Sequence, residues 1–424
     1  MEKKNILVFP CGSEIGLDIY HSVKYSTHFH LIGASSVEDH GAYTYDDYIG
    51  NVPFTDDVSF ISFMAELVEE RKVDAIYPTM DSVISVLKSN ETELGCKVIA
   101  SPVNTTQIAM SKKKTYDILR NYLNIPKCYN IDDDITFPVF IKPDVGYGAR
   151  GTKLVHNRDE LRSSLYNAEK NMLILEYLPG EEYTVDCFTT RCGELKFAAA
   201  RVRNRIKSGI SVNTSYVKQQ GEFVKLAKII NSVIDFRGAW FFQVKRNQNS
   251  ELCLLEVASR FGGSSILSKA IGVNFPLLTL FDAFEYEVEI VRNEYAVTLD
   301  RALSNKYKTN LIYDSVYVDY DDCLILNRNV VNDELVRYLY RCINSKKKII
   351  LLTKHQGDLK KDMQQYRLTG LFDEIIHITH DEKKYKHIKH ANPIFIDDSH
   401  AERFEVKSNL NIPVFSPEMI EILM

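Results

Sequence analysis

The chain has 424 residues, 45% of them apolar and 26% charged, with a formal net charge of −5 at pH 7. Such a length allows about two to four domains, each burying its own core, in an ordinary globular protein. No basic block stands out, which argues against nucleic acid or an anionic membrane surface as partner.

The N-terminal stretch MEKKNILVFPCGSEIG holds an apolar run too short for a signal peptide or a spanning helix. Eight cysteines (Cys11, Cys96, Cys128, Cys187, Cys192, Cys253, Cys323 and Cys342) show no C-x-x-C and no zinc-finger spacing, so a reducing cytoplasm is expected. NILVF (5–9) reads as a strand and PCGSEIG as the turn after it, followed by a helical stretch. FHLIGAS (29–35), VDAIYPT (73–79) and KVIAS (97–101) read as further strands, with helical spacing in FISFMAELVEERK (60–72) and VISVLKSNETEL. Strands alternating with helices predict a parallel sheet with crossover helices.

The rhythm changes near residue 108. IAMSKKKTYDILRNYLNI reads as one helix ended by Pro126, and FPVFIKP (137–143) and TKLVH (152–156) as strands around a glycine loop. DELRSSLYNAEK is a helix, MLILEYLPG a strand and turn, and EYTVDCFTT (182–190) alternates like an exposed strand. ELKFAAARVRNR extends that sheet, FVKLAKIINSVI is a helix, and AWFFQVKRNQNSELCLLEVASR is a hairpin. This region is antiparallel in character, so the fold is mixed. After residue 300 the parallel rhythm returns with SVYVD, KKIILLT, EIIHIT, NPIFIDD and IPVFS, and with helices at 332–345 and 358–367.

The loop GYGARG in FPVFIKPDVGYGARGTKLV fits G-x-G-x-x-G. A dinucleotide-binding loop opens directly into a helix, but TKLVH alternates and helical spacing begins only near Arg158. No Gly-Lys-Ser/Thr ends the loop, and no kinase HRD or DFG follows. The remaining readings are a plain hairpin loop or a flap. In a flap, Gly146, Gly148 and Gly151 would let backbone N–H groups approach phosphates, with Lys142 upstream as a cation. Downstream, Gln243 and Glu256 sit on two strands joined by a turn, where their oxygens suit Mg²⁺. Arg260, just past the strand, would reach a phosphate or a substrate carboxylate.

With these motifs in this order, residues 1 to 290 resemble the ATP-grasp family, closest in likeness to its carbamoyl-phosphate-synthase-like and carboxylate–amine ligase branches. The resemblance implies that Lys112 and Lys142 contact ATP phosphates, with Lys113 or Lys114 as alternatives to Lys112. It makes residues 146–151 the phosphate flap, Glu176, Tyr177 and Leu178 the adenine hinge, and Glu182 the ribose ligand. Gln243 and Glu256 would hold Mg²⁺, Arg260 would steady the phosphoryl group or acyl phosphate, and PCGSEIG and PTMDS would face the substrate. The family usually has Glu-x-Asn-x-Arg where this chain has Glu256-Val-Ala258-Ser-Arg260, so a second metal ligand is missing; Ser259 and Asp186 are the substitutes to consider. The implied reaction is phosphoryl transfer from ATP to a carboxylate, then attack by an amine, with the protein supplying position and positive charge. Arg201, Arg203 and Arg205, alternating on one strand, would add to that charge or line a solvated face.

SVYVDYDDCLILN ends an apolar strand in Asp319-Tyr-Asp321-Asp322, KKIILLT ends in Thr353 and NPIFIDD in Asp397-Asp398, with Lys383 and Lys384 between them in sequence. Ligands of doubly wound sheets bind at such carboxyl ends. Residues 312 to 424 thereby resemble the haloacid-dehalogenase-like phosphatase superfamily. That resemblance makes Asp319 the nucleophile, Asp321 the general acid/base, Thr353 and Lys384 (or Lys383) phosphate ligands, and Asp319, Asp321, Asp397 and Asp398 the Mg²⁺ site. Cys323 stands where the superfamily usually has Thr, and the short interval from Asp319 to Thr353 leaves no room for a cap domain.

His28, His30 and the histidines at 377, 380, 387, 390 and 400 show no metal spacing with cysteine and read as surface residues; Trp240, Phe241 and Phe242 read as core. The expected architecture is α/β and α+β, multidomain: a parallel-sheet pre-grasp domain (1–107), an ATP-grasp domain with antiparallel sheets (108–305), and a small capless Rossmann-like phosphatase domain (306–424). The expected cofactors are ATP and Mg²⁺, and the partners a small-molecule carboxylate and an amine, with a homodimer as the assembly considered. A grasp-fold kinase, or a nucleotide-binding regulatory protein with degenerate sites at Ala258 and Cys323, is the alternative.

Overall fold

A computed structural model describes residues 3–146, 150–168, 171–207, 209–293, 295–302, 307, 309–380 and 382–424. The chain forms two compact units, residues 1–303 and 304–424. Among the described residues, no helix is long and apolar enough to cross a membrane.

The first unit begins with a five-stranded parallel sheet in the order Tyr48–Ile49, Phe29–Ala34, Lys4–Phe9, Ala75–Pro78, Lys97–Val98. Its strands are apolar runs because both faces are covered, as parallel sheets require. The order reverses between Lys4–Phe9 and Ala75–Pro78, which leaves a crevice at their carboxyl ends.

An antiparallel four-stranded sheet follows, ordered Cys128–Tyr129, Met172–Glu176, Val139–Pro143, Lys153–Val155. Facing chemistry comes from a six-stranded sheet, ordered Leu252–Ala258, Gly238–Arg246, Glu182–Thr189, Leu195–Lys207, Ile210–Tyr216, Thr298–Asp300. Glu182–Thr189 alternates polar and apolar residues but is not an exposed strand: it lies mid-sheet with both faces covered. One face packs Val185 and Cys187 against Phe223, Ala227 and Ile230 of the helix Gly221–Val233. On the other face Thr184 and Asp186 are buried, Asp186 against Arg201, which alternation alone does not reveal. Trp240 and Phe242 are core, as expected.

The single helix expected from residue 108 is two, Val103–Met110 and Lys112–Leu119. Ser111 breaks it with an extended backbone (φ −106°, ψ 116°), and its Oγ caps the second helix by accepting from Lys114 N at 3.1 Å.

The second unit has a five-stranded parallel sheet ordered Glu374–His377, Lys348–Thr353, Ser315–Val318, Pro393–Ile396, Val414–Phe415. Val316, Val318, Ile349, Leu351, Ile394 and Ile396 pack on Leu335, Tyr338 and Leu339 of the helix Asp333–Asn344. Tyr317, Ile350, Leu352 and Phe395 face the other way, toward Val406 of His400–Leu410, a helix the sequence reading lacks. Between Asp319 and Thr353 stand only the hairpin Ile325–Leu326/Val330–Val331 and the helix Asp333–Asn344.

Candidate functional site

In the first unit, Lys142 lies near the end of Val139–Pro143, with only 7% of its surface exposed. Its Nζ donates to Leu255 O at 2.9 Å and sits 5.6 Å from the ring centroid of Tyr116, whose hydroxyl donates to the same carbonyl at 2.7 Å. Burial pushes the Lys142 ammonium down from 10.5 to about 8; Glu256 opposes that shift and Lys112 adds to it.

The break at Ser111 fixes Lys112. Ser111 Oγ donates to the Asp144 carboxylate at 3.0 Å, and that carboxylate accepts from Lys113 N at 2.8 Å. Lys112, the first residue of its helix, then donates from Nζ to Asp144 O and Gly146 O, each at 3.3 Å. It thus fastens one end of the glycine loop. Lys112 is buried and lines the cavity described next, whereas Lys113 and Lys114 are exposed. Gly148 lies outside the described residues. Gly151 has φ +72°, a conformation that favours glycine, and does not line the cavity.

One cavity of about 780 Å³ collects most of the residues singled out by sequence. Lys112, Lys142, Gly146, Glu176, Tyr177, Leu178, Glu182, Gln243, Glu256 and Arg260 all line it. Gln243 and Glu256 stand directly opposite each other across an antiparallel pair, where Cβ atoms approach to about 5 Å. A carboxylate beside an amide oxygen is a hard-donor set that fits Mg²⁺. Glu176 accepts from the Lys127 backbone N–H at 2.9 Å, which ties the hinge strand to its neighbour.

Neither substitute for the missing metal ligand is available. The Asp186 carboxylate accepts from Arg201 Nε at 2.7 Å and from Ser265 Oγ at 2.5 Å; it is buried, and neither it nor Ser259 lines the cavity. Ala258 does line the cavity and offers no oxygen. The arginine strand also departs from simple alternation. Arg201 lines the cavity in a buried ion pair with Asp186 and Arg203 in a partly buried one with Glu182, while a register shift after Arg203 sends Arg205 outward to Asp300.

Ser13, Glu14, Thr79 and Asp81, from the crevice at the strand-order reversal, line the same cavity. Ser13 Oγ donates to Thr79 Oγ1 at 2.9 Å. Arg260 is bidentate on Asp81, through Nε at 2.9 Å and Nη2 at 2.8 Å, with Phe241 beneath its guanidinium at 5.5 Å. Phe241, read as core, therefore also borders the site. The Asp81 partnership carries no sequence signal, since 179 positions separate the two residues.

In the second unit, Asp319, Thr353 and Asp397 sit at or just past the carboxyl ends of three adjacent parallel strands. Lys384 Nζ lies 2.7 Å from both Asp319 Oδ1 and Asp397 Oδ2. Lys383 instead pairs with Glu405 at 3.2 Å, so Lys384 is the lysine at the cluster. Asp319, Asp397 and Asp398 bring carboxylate oxygens within 4.8 Å of one another, an arrangement able to hold a cation. Burial raises the Asp319 and Asp397 carboxyls, the latter to about 7, while Lys384 opposes both shifts. Asp321 is outside that trio: His355 Nδ1 lies 2.9 and 3.0 Å from its two oxygens. Cys323 is fully buried.

Four histidines read as surface residues are partly buried, His28, His377, His387 and His390; His377 Nε2 lies 2.8 Å from His355 O, and His390 Nδ1 lies 2.6 Å from the Tyr317 hydroxyl. His355 was not singled out by sequence. Its signal is local, two positions past Thr353 at the end of an apolar strand.

Two family models match the first unit: carbamoyl-phosphate synthase L chain, ATP binding domain, over residues 108–174, and ATP-grasp in the biosynthetic pathway with Ter operon, over residues 168–303. A D-alanine–D-alanine ligase of Clostridium botulinum (strain Langeland) is 28% identical over 142 residues, which is 30% of this chain and 43% of that protein. The chain thus spans less than half the length of this curated relative. Biotin carboxylase of Campylobacter jejuni shares the fold with a TM-score of 0.59 at 17% identity, over 68% of this chain and 72% of the other. An L-amino acid ligase of Bacillus licheniformis does so with a TM-score of 0.56 at 17% identity, over 67% and 74%.

Proposed function

Residues 108–303 belong to the ATP-grasp family, and from that premise we propose that the first unit is an ADP-forming carboxylate–amine ligase working through an acyl phosphate. Its cofactors are ATP and Mg²⁺. The observation that carries the reading is the convergence of two buried lysines, the Gln243–Glu256 pair and Arg260 on one cavity. Relatives named as joining amino acids agree with it.

A carboxylate is a poor electrophile because its charge repels nucleophiles. In the proposed reaction its oxygen attacks the γ-phosphorus, the bond to the bridging oxygen breaks, and ADP leaves. The amine then attacks the acyl carbon, phosphate departs, and the amine's proton passes to solvent. Lys112 and Lys142 hold the phosphates and Arg260 orients the carboxylate or acyl phosphate. Glu176, Tyr177 and Leu178 hold the base, and Glu182 the ribose. Gln243 and Glu256 would hold Mg²⁺, which supplies charge neutralisation at the phosphates. The protein's contribution is position and fixed charge.

For the second unit we propose an aspartyl-phosphate phosphatase. Asp319 attacks phosphorus as the ester oxygen leaves with a proton from Asp321; water then releases the phosphate, giving its proton back to Asp321. Thr353 and Lys384 hold the phosphate. Asp319, Asp397 and Asp398 would hold Mg²⁺; Asp321, expected from sequence to join them, has both carboxylate oxygens on His355 instead.

A mass-resolved substrate screen with Mg-ATP, run on wild type and Asp319→Asn side by side, tests both readings. ADP release that needs a carboxylate and an amine supports the ligase. ADP release with a carboxylate alone makes the unit a kinase. Nucleotide binding without turnover makes it a regulatory site, the reading that Ala258 favours. Asp319→Asn removes phosphate-ester hydrolysis and leaves ADP formation unchanged.

A further inference from the structure

We infer that His355 is the positioning residue for Asp321 in the second unit, holding its carboxyl group ready to exchange the proton that phosphate-ester cleavage requires; the inference rests on the phosphatase reading. His355 follows Thr353 by two positions, and its backbone N–H donates to Thr353 Oγ1 at 3.1 Å. Its side chain is only 10% exposed. Nδ1 meets both oxygens of Asp321 at 2.9 and 3.0 Å. Nε2 lies 3.1 Å from Asp362 Oδ2, on the helix Leu359–Gln365, without hydrogen-bond alignment. The ring also stands edge-on to Tyr320, centroids 5.1 Å apart, and the His355 carbonyl accepts from His377 Nε2 at 2.8 Å. The groups facing the imidazole are therefore Asp321, Asp362, Tyr320 and His377, from three different elements.

A histidine that only filled core would spend its ring on backbone or apolar neighbours. This one lies between two carboxylates that would otherwise repel each other, and one of them is the proposed acid beside the nucleophile. Asp321 is 45% exposed, so without the imidazole its side chain would sample several rotamers. Restricting that carboxyl to one rotamer, two positions from the proposed nucleophile, is the kind of geometric aid that rate depends on.

The test uses the full chain and two phosphate esters, para-nitrophenyl phosphate with a good leaving group and phenyl phosphate with a poor one. His355→Ala is expected to lower kcat/KM, which reports the ester-cleavage step, by about 10- to 100-fold for phenyl phosphate, and to affect kcat/KM for para-nitrophenyl phosphate much less. His355→Ala/Asp321→Asn is expected to be no slower than Asp321→Asn alone, because the histidine acts through that carboxyl. Additive losses, or equal losses on both esters, would overturn the role. A second readout needs no activity: at fixed pH, the ¹⁵N signal of His355 Nδ1 should move in Asp321→Asn, and an unmoved signal also overturns the inference. A wild type without Asp319-dependent hydrolysis but with that coupled signal refutes the phosphatase reading and the catalytic role together, while leaving the clamp as a structural contact.

Discussion

Replacing Lys142 by Met should abolish ADP formation and, at the same time, stabilise the ligand-free protein. The ammonium is held in a desolvated site whose neighbours do not fully compensate it, so its pKa falls from 10.5 to about 8. That fall corresponds to about 3 kcal/mol of unfavourable charge burial. Loss of the 2.9 Å bond to Leu255 O offsets about 1 kcal/mol, which leaves a net gain of about 2 kcal/mol, or roughly 4 °C in Tm. The pH dependence follows from the direction of the shift. Below about 8 the lysine is charged in both states and the folded protein bears the full cost. Between about 8 and 10.5 the unfolded chain binds more protons, so wild-type stability rises with pH and the mutant's advantage fades. Denaturant melts of both proteins at pH 7 and pH 10.5, without and with Mg-ATP, measure this. Wild type should gain stability from Mg-ATP by mass action and the mutant should gain little. A mutant less stable than wild type at pH 7, or one with equal ADP output, would refute the reasoning.

Asp186→Ala should destabilise the first unit by about 3–5 kcal/mol, since it strands a buried Arg201 guanidinium without its partner. Pairing it with Arg201→Met should recover most of that loss, as read from denaturation midpoints. Ala258→Asn restores an oxygen on the cavity wall, and should lower the Mg²⁺ concentration for half-maximal nucleotide binding by about tenfold, worth about 1.4 kcal/mol. Unchanged Mg²⁺ dependence would show that the position no longer limits metal binding.

What could be read from sequence was whatever is written in local period and punctuation. The parallel rhythm of residues 5–101 and of residues 315–415, the hairpin carrying Gln243 and Glu256, and the glycine loop between two strands are all as expected. The failures share a cause: a side chain doing the work of backbone or of a distant partner. Ser111 caps a helix in the middle of an unbroken helical pattern. Asp186 looks exposed by alternation because its compensating arginine lies 15 positions away. Arg205 leaves the face of Arg201 through a register shift that no composition announces. Asp81 and His355 matter through their partners, Arg260 and Asp321, and such pairings exist only after folding.

These pairings also explain why Lys112 and Lys142, and not Arg201, Arg203 or Arg260, are candidates for the triphosphate. Arg201, Arg203 and Arg260 line the cavity, but each already faces a carboxylate: Asp186, Glu182 and Asp81. Lys112 and Lys142 donate to backbone carbonyls, which satisfy their hydrogen bonds without cancelling their charge. Both ammoniums are buried, and charge held there is where a polyanion gains most. The second unit inverts the balance, with three carboxylates within 4.8 Å of one another and one ammonium between two of them. A cluster so negative cannot receive a phosphate ester unaided, and a divalent cation bound by its oxygens is the simplest means of reversing that field.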